Sequence, residues 1–189
     1  MKKVLLIALV AFLCVAIGIG ATLAFGTKEL KTDNIITTGK IKAKVISKTL
    51  NDKKEEVDFD GENIVTVPGK TQAWKLSVLN DGDRDAYVRV RIVKTITNGK
   101  EQLDSSLLVF NVDEESWEYK NGYYYYKKAL APNVETPLLF DGVKLDENAA
   151  NTYQESIASA TIEVETTQVA NNGATPLEAQ GWPGKVQPD

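Results

Sequence analysis

Histidine is absent from this sequence, and its single cysteine, Cys14, sits inside an apolar run. The first absence removes the usual general base and the commonest zinc ligand together. The second leaves no thiol or disulfide chemistry once that run is cut away. Serine nucleophiles therefore lack a histidine partner, cysteine nucleophiles are missing, and no glycine-rich phosphate loop occurs. Carboxylates are plentiful, but no spacing among them selects a glycosidase pair or any other reaction. The expectation is a protein that is not an enzyme.

Positive charge is also scarce. The chain has 22 basic and 26 acidic residues, and two of the basic ones, Lys2 and Lys3, lie before residue 25. The remainder carries 20 against 26, or −6. An acidic domain is poorly suited to nucleic acid or to anionic lipid.

What is present begins with a targeting pattern. Lys2 and Lys3 precede an unbroken apolar run over 4–17, Gly18 and Gly20 loosen it, and Thr22-Leu23-Ala24 places small residues where a signal peptidase reads. Cleavage between Ala24 and Phe25 is expected, with membrane contact only through the uncut leader. A retained helix over 4–25 is the competing reading, since that length spans a bilayer. A lipoprotein anchor is not expected, because Leu13 precedes Cys14 where a small residue is required.

Beyond residue 35 the pattern has period 2, with no long stretch of helical period. Ile41, Ala43 and Val45 alternate with lysines, Trp74, Leu76 and Val78 with Lys75 and Ser77, and Val88, Val90 and Ile92 with Tyr87, Arg89 and Arg91. Shorter strands are expected over 64–67, 107–112, 138–140 and 143–145, with turns at Pro68-Gly69, Asn98-Gly99 and Asp141-Gly142. Ala158, Ala160, Ile162 and Val164 predict a long final strand. Asp146, as an N-cap, heads the one short helix expected, over 146–154. The class is all-β, an antiparallel two-sheet sandwich. Jelly-roll and immunoglobulin-like forms share this pattern.

Two features invite chemistry. Asn121-Gly122 is a strong hairpin signal, so Tyr123, Tyr124, Tyr125 and Tyr126 form its returning strand. Alternation puts Tyr123 and Tyr125 on one face and Tyr124 and Tyr126 on the other, where Trp117 and Tyr119 pair with one set. The run reads as sheet packing, as surface stacking on a glycan, or as a subunit contact. Asp81, Asp83 and Asp85 have the alternate spacing of calcium ligands, but Ala86 stands where an EF-hand needs glycine and Ile92 where it needs glutamate. They are calcium candidates only with help from other loops, and no other cofactor is expected. Arg89 and Arg91, on one strand face, predict ion pairing or stacking on rings.

Several segments together resemble a known group. Gly20-Ala21-Thr22-Leu23-Ala24-Phe25, Thr38-Gly39-Lys40-Ile41, Val67-Pro68-Gly69-Lys70 before the strand at Trp74, and Asn80-Asp81-Gly82-Asp83 are similar to the TasA/camelysin family of exported Gram-positive proteins. Ala86-Tyr87-Val88-Arg89-Val90-Arg91, the stretch 123–130, Thr136-Pro137-Leu138-Leu139-Phe140, and the closing segments 160–168 and 179–182 resemble the wider set of proteins whose leaders are cut by SipW-type signal peptidases. The resemblance implies a jelly-roll-like sandwich, secretion to the cell surface or biofilm matrix, and a role as a fibre subunit. It also implies self-association or pairing with related matrix subunits through an N-terminal donor strand. Here that strand would fall within 25–38, with Phe25, Leu30, Ile35 and Ile36 as its apolar residues. Camelysin-type members carry a metallopeptidase label, which a chain without histidine or HExxH does not support.

The expected organisation is a leader over 1–24, a donor segment over 25–38, a sandwich over 39–170 and a tail over 171–189. The expected function is a secreted structural protein of a matrix fibre. The alternative is a monomeric module that binds a wall glycan or calcium.

Overall fold

The computed structural model describes residues 35–39 by their backbone, and 42–62, 64 and 67–183. The predicted leader, its cleavage point at Ala24 and Phe25, and Leu30 lie outside these residues. Among the described residues no helix is long and apolar enough to cross a membrane.

Among the described residues eleven strands follow in chain order: β1 (Ile35–Gly39), β2 (Ala43–Leu50), β3 (Glu56–Asp58), β4 (Thr71–Asn80), β5 (Ala86–Asn98), β6 (Glu101–Gln102), β7 (Leu108–Val112), β8 (Trp117–Lys120), β9 (Tyr123–Tyr126), β10 (Phe140–Leu145) and β11 (Ile157–Gln168). They form two sheets. The first runs β1-β11-β5-β9-β8, with β6 paired to β5, and the second runs β3-β2-β4-β10-β7. Every strand pair is antiparallel except β1 with β11. The expected all-β, two-sheet architecture is present.

The period-2 pattern decides which face is buried. Val88, Val90 and Ile96 of β5 and Ala158, Ala160, Ile162 and Val164 of β11 meet Trp74, Leu76 and Val78 of β4 and Phe140, Val143 and Leu145 of β10 in one core. Trp74 is fully buried among Phe59, Phe110 and Phe140, with ring centroids 5.0, 5.6 and 5.1 Å away. Its indole N–H donates to Ser47 Oγ at 2.8 Å, so the polar handle of the largest core side chain is satisfied.

The Asn121-Gly122 hairpin forms as read. Both residues have positive φ, 51° and 82°, and Lys120 pairs with Tyr123 across them. The strands ending at Asn80 and starting at Ala86 do not pair with each other. They belong to opposite sheets, and the exposed loop between them links the two.

Two expectations are corrected. Residues 146–154 form no α-helix, only a 3-10 turn at Asn151–Tyr153. Asp146 instead accepts from the backbone N–H of Asn148 at 2.9 Å, a local turn. A nine-residue stretch rich in Asp and Asn cannot offset helix nucleation, and such side chains favour turns. Asp141-Gly142 is not a turn but a bulge inside β10, where the register shifts against both β4 and β7. A Cβ on Gly142 would come within 2.9 Å of Thr71 Cγ2, so a larger residue there would push the Thr71 side chain aside. Of the strand expected over 64–67, Ile64 bridges to Ala158, and residues 65 and 66 lie outside the described residues.

The outer strand β3 is exposed throughout and is tied down by charge. Lys48 pairs with Asp58, and Lys75 donates to Glu56 at 2.6 Å. Hydrogen bonds from these lysines, and then their charge, hold both carboxylates below their ordinary range. A lowered folded pKa means the contribution is complete above the unfolded value and lost as pH falls through the folded one. We expect amide exchange in β3, corrected for intrinsic rates, to accelerate relative to β2 as pH drops below ~4. Equal protection of both strands at pH 3 and pH 7 would contradict it.

Candidate functional site

Two places on the first sheet stand out: the free side of β11, and the outer face where Tyr123 and Tyr125 lie.

On the free side of β11, β1 pairs in parallel, Ile35 opposite Ile162 through to Gly39 opposite Thr166. The other side of β11 is paired along its whole length with β5. Of the apolar residues assigned to the donor segment, Ile35 and Ile36 thus lie on a described strand. Three residues, 40–42, connect β1 to β2 in the opposite sheet.

The tyrosine run divides as alternation requires. Tyr124 and Tyr126 pack against the main core, Tyr126 on Trp117 at 5.5 Å and Tyr124 on Tyr119 at 4.8 Å. Tyr119, on the last strand of the sheet, remains 63% exposed. Tyr123 and Tyr125 face outward and build a second cluster with Tyr87, Leu177, Ala179 and Trp182. The tail folds back over this face through Leu177, Ala179 and Trp182.

Arg89 lies at the centre of that cluster, 3% exposed. It stands opposite Tyr125 on β9 and opposite Glu165 on β11. Its Nε donates to Glu165 Oε2 at 2.7 Å, Nη2 pairs with the same oxygen, and Nη1 donates to Tyr125 Oη at 3.1 Å. The guanidinium carbon is 3.9 Å from the Tyr123 ring centre and 4.7 Å from that of Trp182. Tyr123 donates its hydroxyl to Glu165 Oε1 at 3.1 Å. Burial first, and then the Glu165 charge, raise the Tyr123 pKa, so the phenol keeps the proton it donates. Arg91 pairs with Glu163 one step along the same face. The predicted ion pairing and ring stacking of the two arginines are both present.

The tail is fastened by polar contacts as well as by Trp182. Asn172 donates to Thr167 Oγ1 and to the Gln168 carbonyl, both at 2.8 Å, and accepts from the N–H of Gln180 and Gly181. Tyr87 donates to the Gly173 carbonyl, and Arg89 Nη2 to that of Pro183. The buried indole N–H of Trp182 has no protein partner among the described residues, nor does that of Trp117. Replacing Trp182 with alanine is expected to cost about 2–3 kcal/mol, since it removes a large ring from a small outer cluster. Urea unfolding measures this, and a change below 0.5 kcal/mol would mean the tail does not hold the face.

The Asp81 loop has a different organiser. Asp81, Asp83 and Asp85 are exposed, and among the described residues no group of three potential metal ligands converges. Buried Asn80 shapes the loop, donating to the carbonyls of Arg84 and Leu130 at 2.8 and 2.9 Å and accepting from the Gly82 N–H. On the second sheet, a shallow groove of about 380 Å³ lies over the β10 bulge, between Thr71, Val109, Asn111 and Lys144.

Glu165, Asn172 and Asn80 were not legible as key positions. Each is an ordinary polar residue in sequence, and only register or loop closure gives it partners. Compared with family models, with curated proteins and with solved structures, the chain matches none.

Proposed function

We propose that the chain is a secreted structural protein of the TasA/camelysin type, a subunit or accessory of an extracellular matrix fibre that assembles by strand addition. The reading includes a jelly-roll-like connectivity and removal of the leader by a SipW-type peptidase. The observation that carries it is the place of β1. It is a five-residue parallel strand at the end of an otherwise antiparallel sheet, formed by the N-terminal segment to which the donor role was assigned. Without it, β11 presents unpaired N–H and C=O groups, which template the addition of another strand. The three-residue link at 40–42 is short, and short links favour exchange of an element between copies. The same segment of a second copy satisfies the same edge.

The test is electron microscopy of residues 25–189 beside the same protein lacking 25–39, at rising concentration. The longer protein is expected to form regular filaments. The shorter one is expected to stay folded, by circular dichroism, and to form none. Filaments from the shorter protein would remove strand addition by this segment. A monomeric longer protein under every condition would remove the fibre reading.

A further inference from the structure

The free edge of β11 is not open along its length. In a paired strand, alternate residues direct both backbone polar groups to one side. Odd positions face β5, as where the strand ends and Val169 N–H donates to the Asp85 carbonyl. Even positions face the free edge, and each of those outside 162–166 has a bond of its own. The Ala158 carbonyl accepts from Ile64 N–H, and Ala160 N–H donates to the Gly61 carbonyl, both at 3.0 Å. At the far end, the Gln168 carbonyl accepts from Asn172 Nδ2.

Both bounds are built into the fold. Ile64 is buried in the main core. Gly61 has φ +85°, and a Cβ there would lie 2.5 Å from the Ala160 carbonyl oxygen and 2.7 Å from the Trp74 ring, a position only glycine fills. At the other end, Gly181 runs so close that a Cβ would be 2.6 Å from Thr167 Oγ1. The tail therefore lies against the strand just beyond Thr166. Between these bounds lies the stretch from Ile162 to Thr166, the five residues that the five-residue β1 pairs with.

We propose that Gly61 and Ile64 at one end, and Asn172 at the other, act as guards that admit a strand from a second copy of this chain over 162–166 alone. This rests on the strand-addition reading. It adds the length, direction and register of the contact: parallel, Ile36 of one copy opposite Glu163 of the next. The guards also close the rest of the edge to longer or slipped pairings, which lead to open-ended aggregation.

Engineered disulfides between copies test this, in full chains carrying Cys14→Ser. Register partners on neighbouring strands lie within disulfide reach. Fibres from a mixture of Ile36→Cys and Glu163→Cys chains are expected to crosslink between copies on mild oxidation. Fibres from a mixture of Thr32→Cys and Ser159→Cys chains, the pair that continues the same register past Ile162, are expected not to. Crosslinking of both pairs would overturn the guards and leave strand addition standing. Crosslinking of neither pair in well-formed fibres would overturn the strand-addition reading and the proposal with it. Neither Ser159 nor Glu163 is a core side chain.

Discussion

Arg89→Ala is expected to destabilise the folded domain by about 3–5 kcal/mol, because it strands the Glu165 carboxylate in a buried site. The wild-type carboxylate has Arg89 on one oxygen and the Tyr123 hydroxyl on the other. Without the guanidinium, one phenol must hold a charge that is almost out of water. The loss also removes the surface on which Tyr123 and Trp182 stack, so the tail should loosen with the pair. Urea unfolding gives the size of the effect, and Trp182 emission and amide exchange over 171–183 give its location. The double replacement Arg89→Met with Glu165→Leu is expected to recover most of the loss, since two apolar groups of similar volume leave no buried charge behind. A single-variant effect below about 1 kcal/mol would mean that the pair is hydrated in solution and the tail open.

Trp74→Ala is expected to cost a similar 3–5 kcal/mol by a different route. Three phenylalanine rings surround the indole, and all would border the cavity left behind. Ser47 Oγ would lose its donor, although it still reaches the Phe59 carbonyl. Trp74→Phe separates the two causes, because it keeps most of the ring volume and removes only the N–H bond. That change is expected to cost about 1–2 kcal/mol. The indole also lies directly beneath Gly61, so the alanine variant should free the guard at Ala160 and weaken amide protection there. Protection at Ala160 equal to that of the wild type in a folded Trp74→Ala protein would uncouple the guard from the core.

The sequence by itself determined the class of fold. Alternating apolar residues in β4, β5 and β11 state which side chains face inward, but under the tail Tyr87, Arg89, Glu165 and Thr167 are buried on the opposite face as well. Asn121-Gly122 sets its hairpin because both turn positions need positive φ, a local requirement that sequence displays directly. The division of the four tyrosines follows from the same two-residue period. The short helix failed for a local reason too, since Asp146 and Asn148 satisfy each other in a turn.

Only the tertiary structure decided which strands are neighbours. No pattern in the chain says that Arg89 lies opposite Glu165, 76 residues away, or that the strands flanking the Asp81 loop belong to opposite sheets. The bulge at Asp141-Gly142 looked like a turn because glycine beside aspartate serves both, and the choice depends on the strands on either side. The same holds for β1. Its residues carry no strong alternation, and β11 gives it a place because that edge, bounded by Gly61, Ile64 and Asn172, leaves five residues to fill. Local preference acts over a few residues, whereas register and edge are settled by what the rest of the chain has already paired.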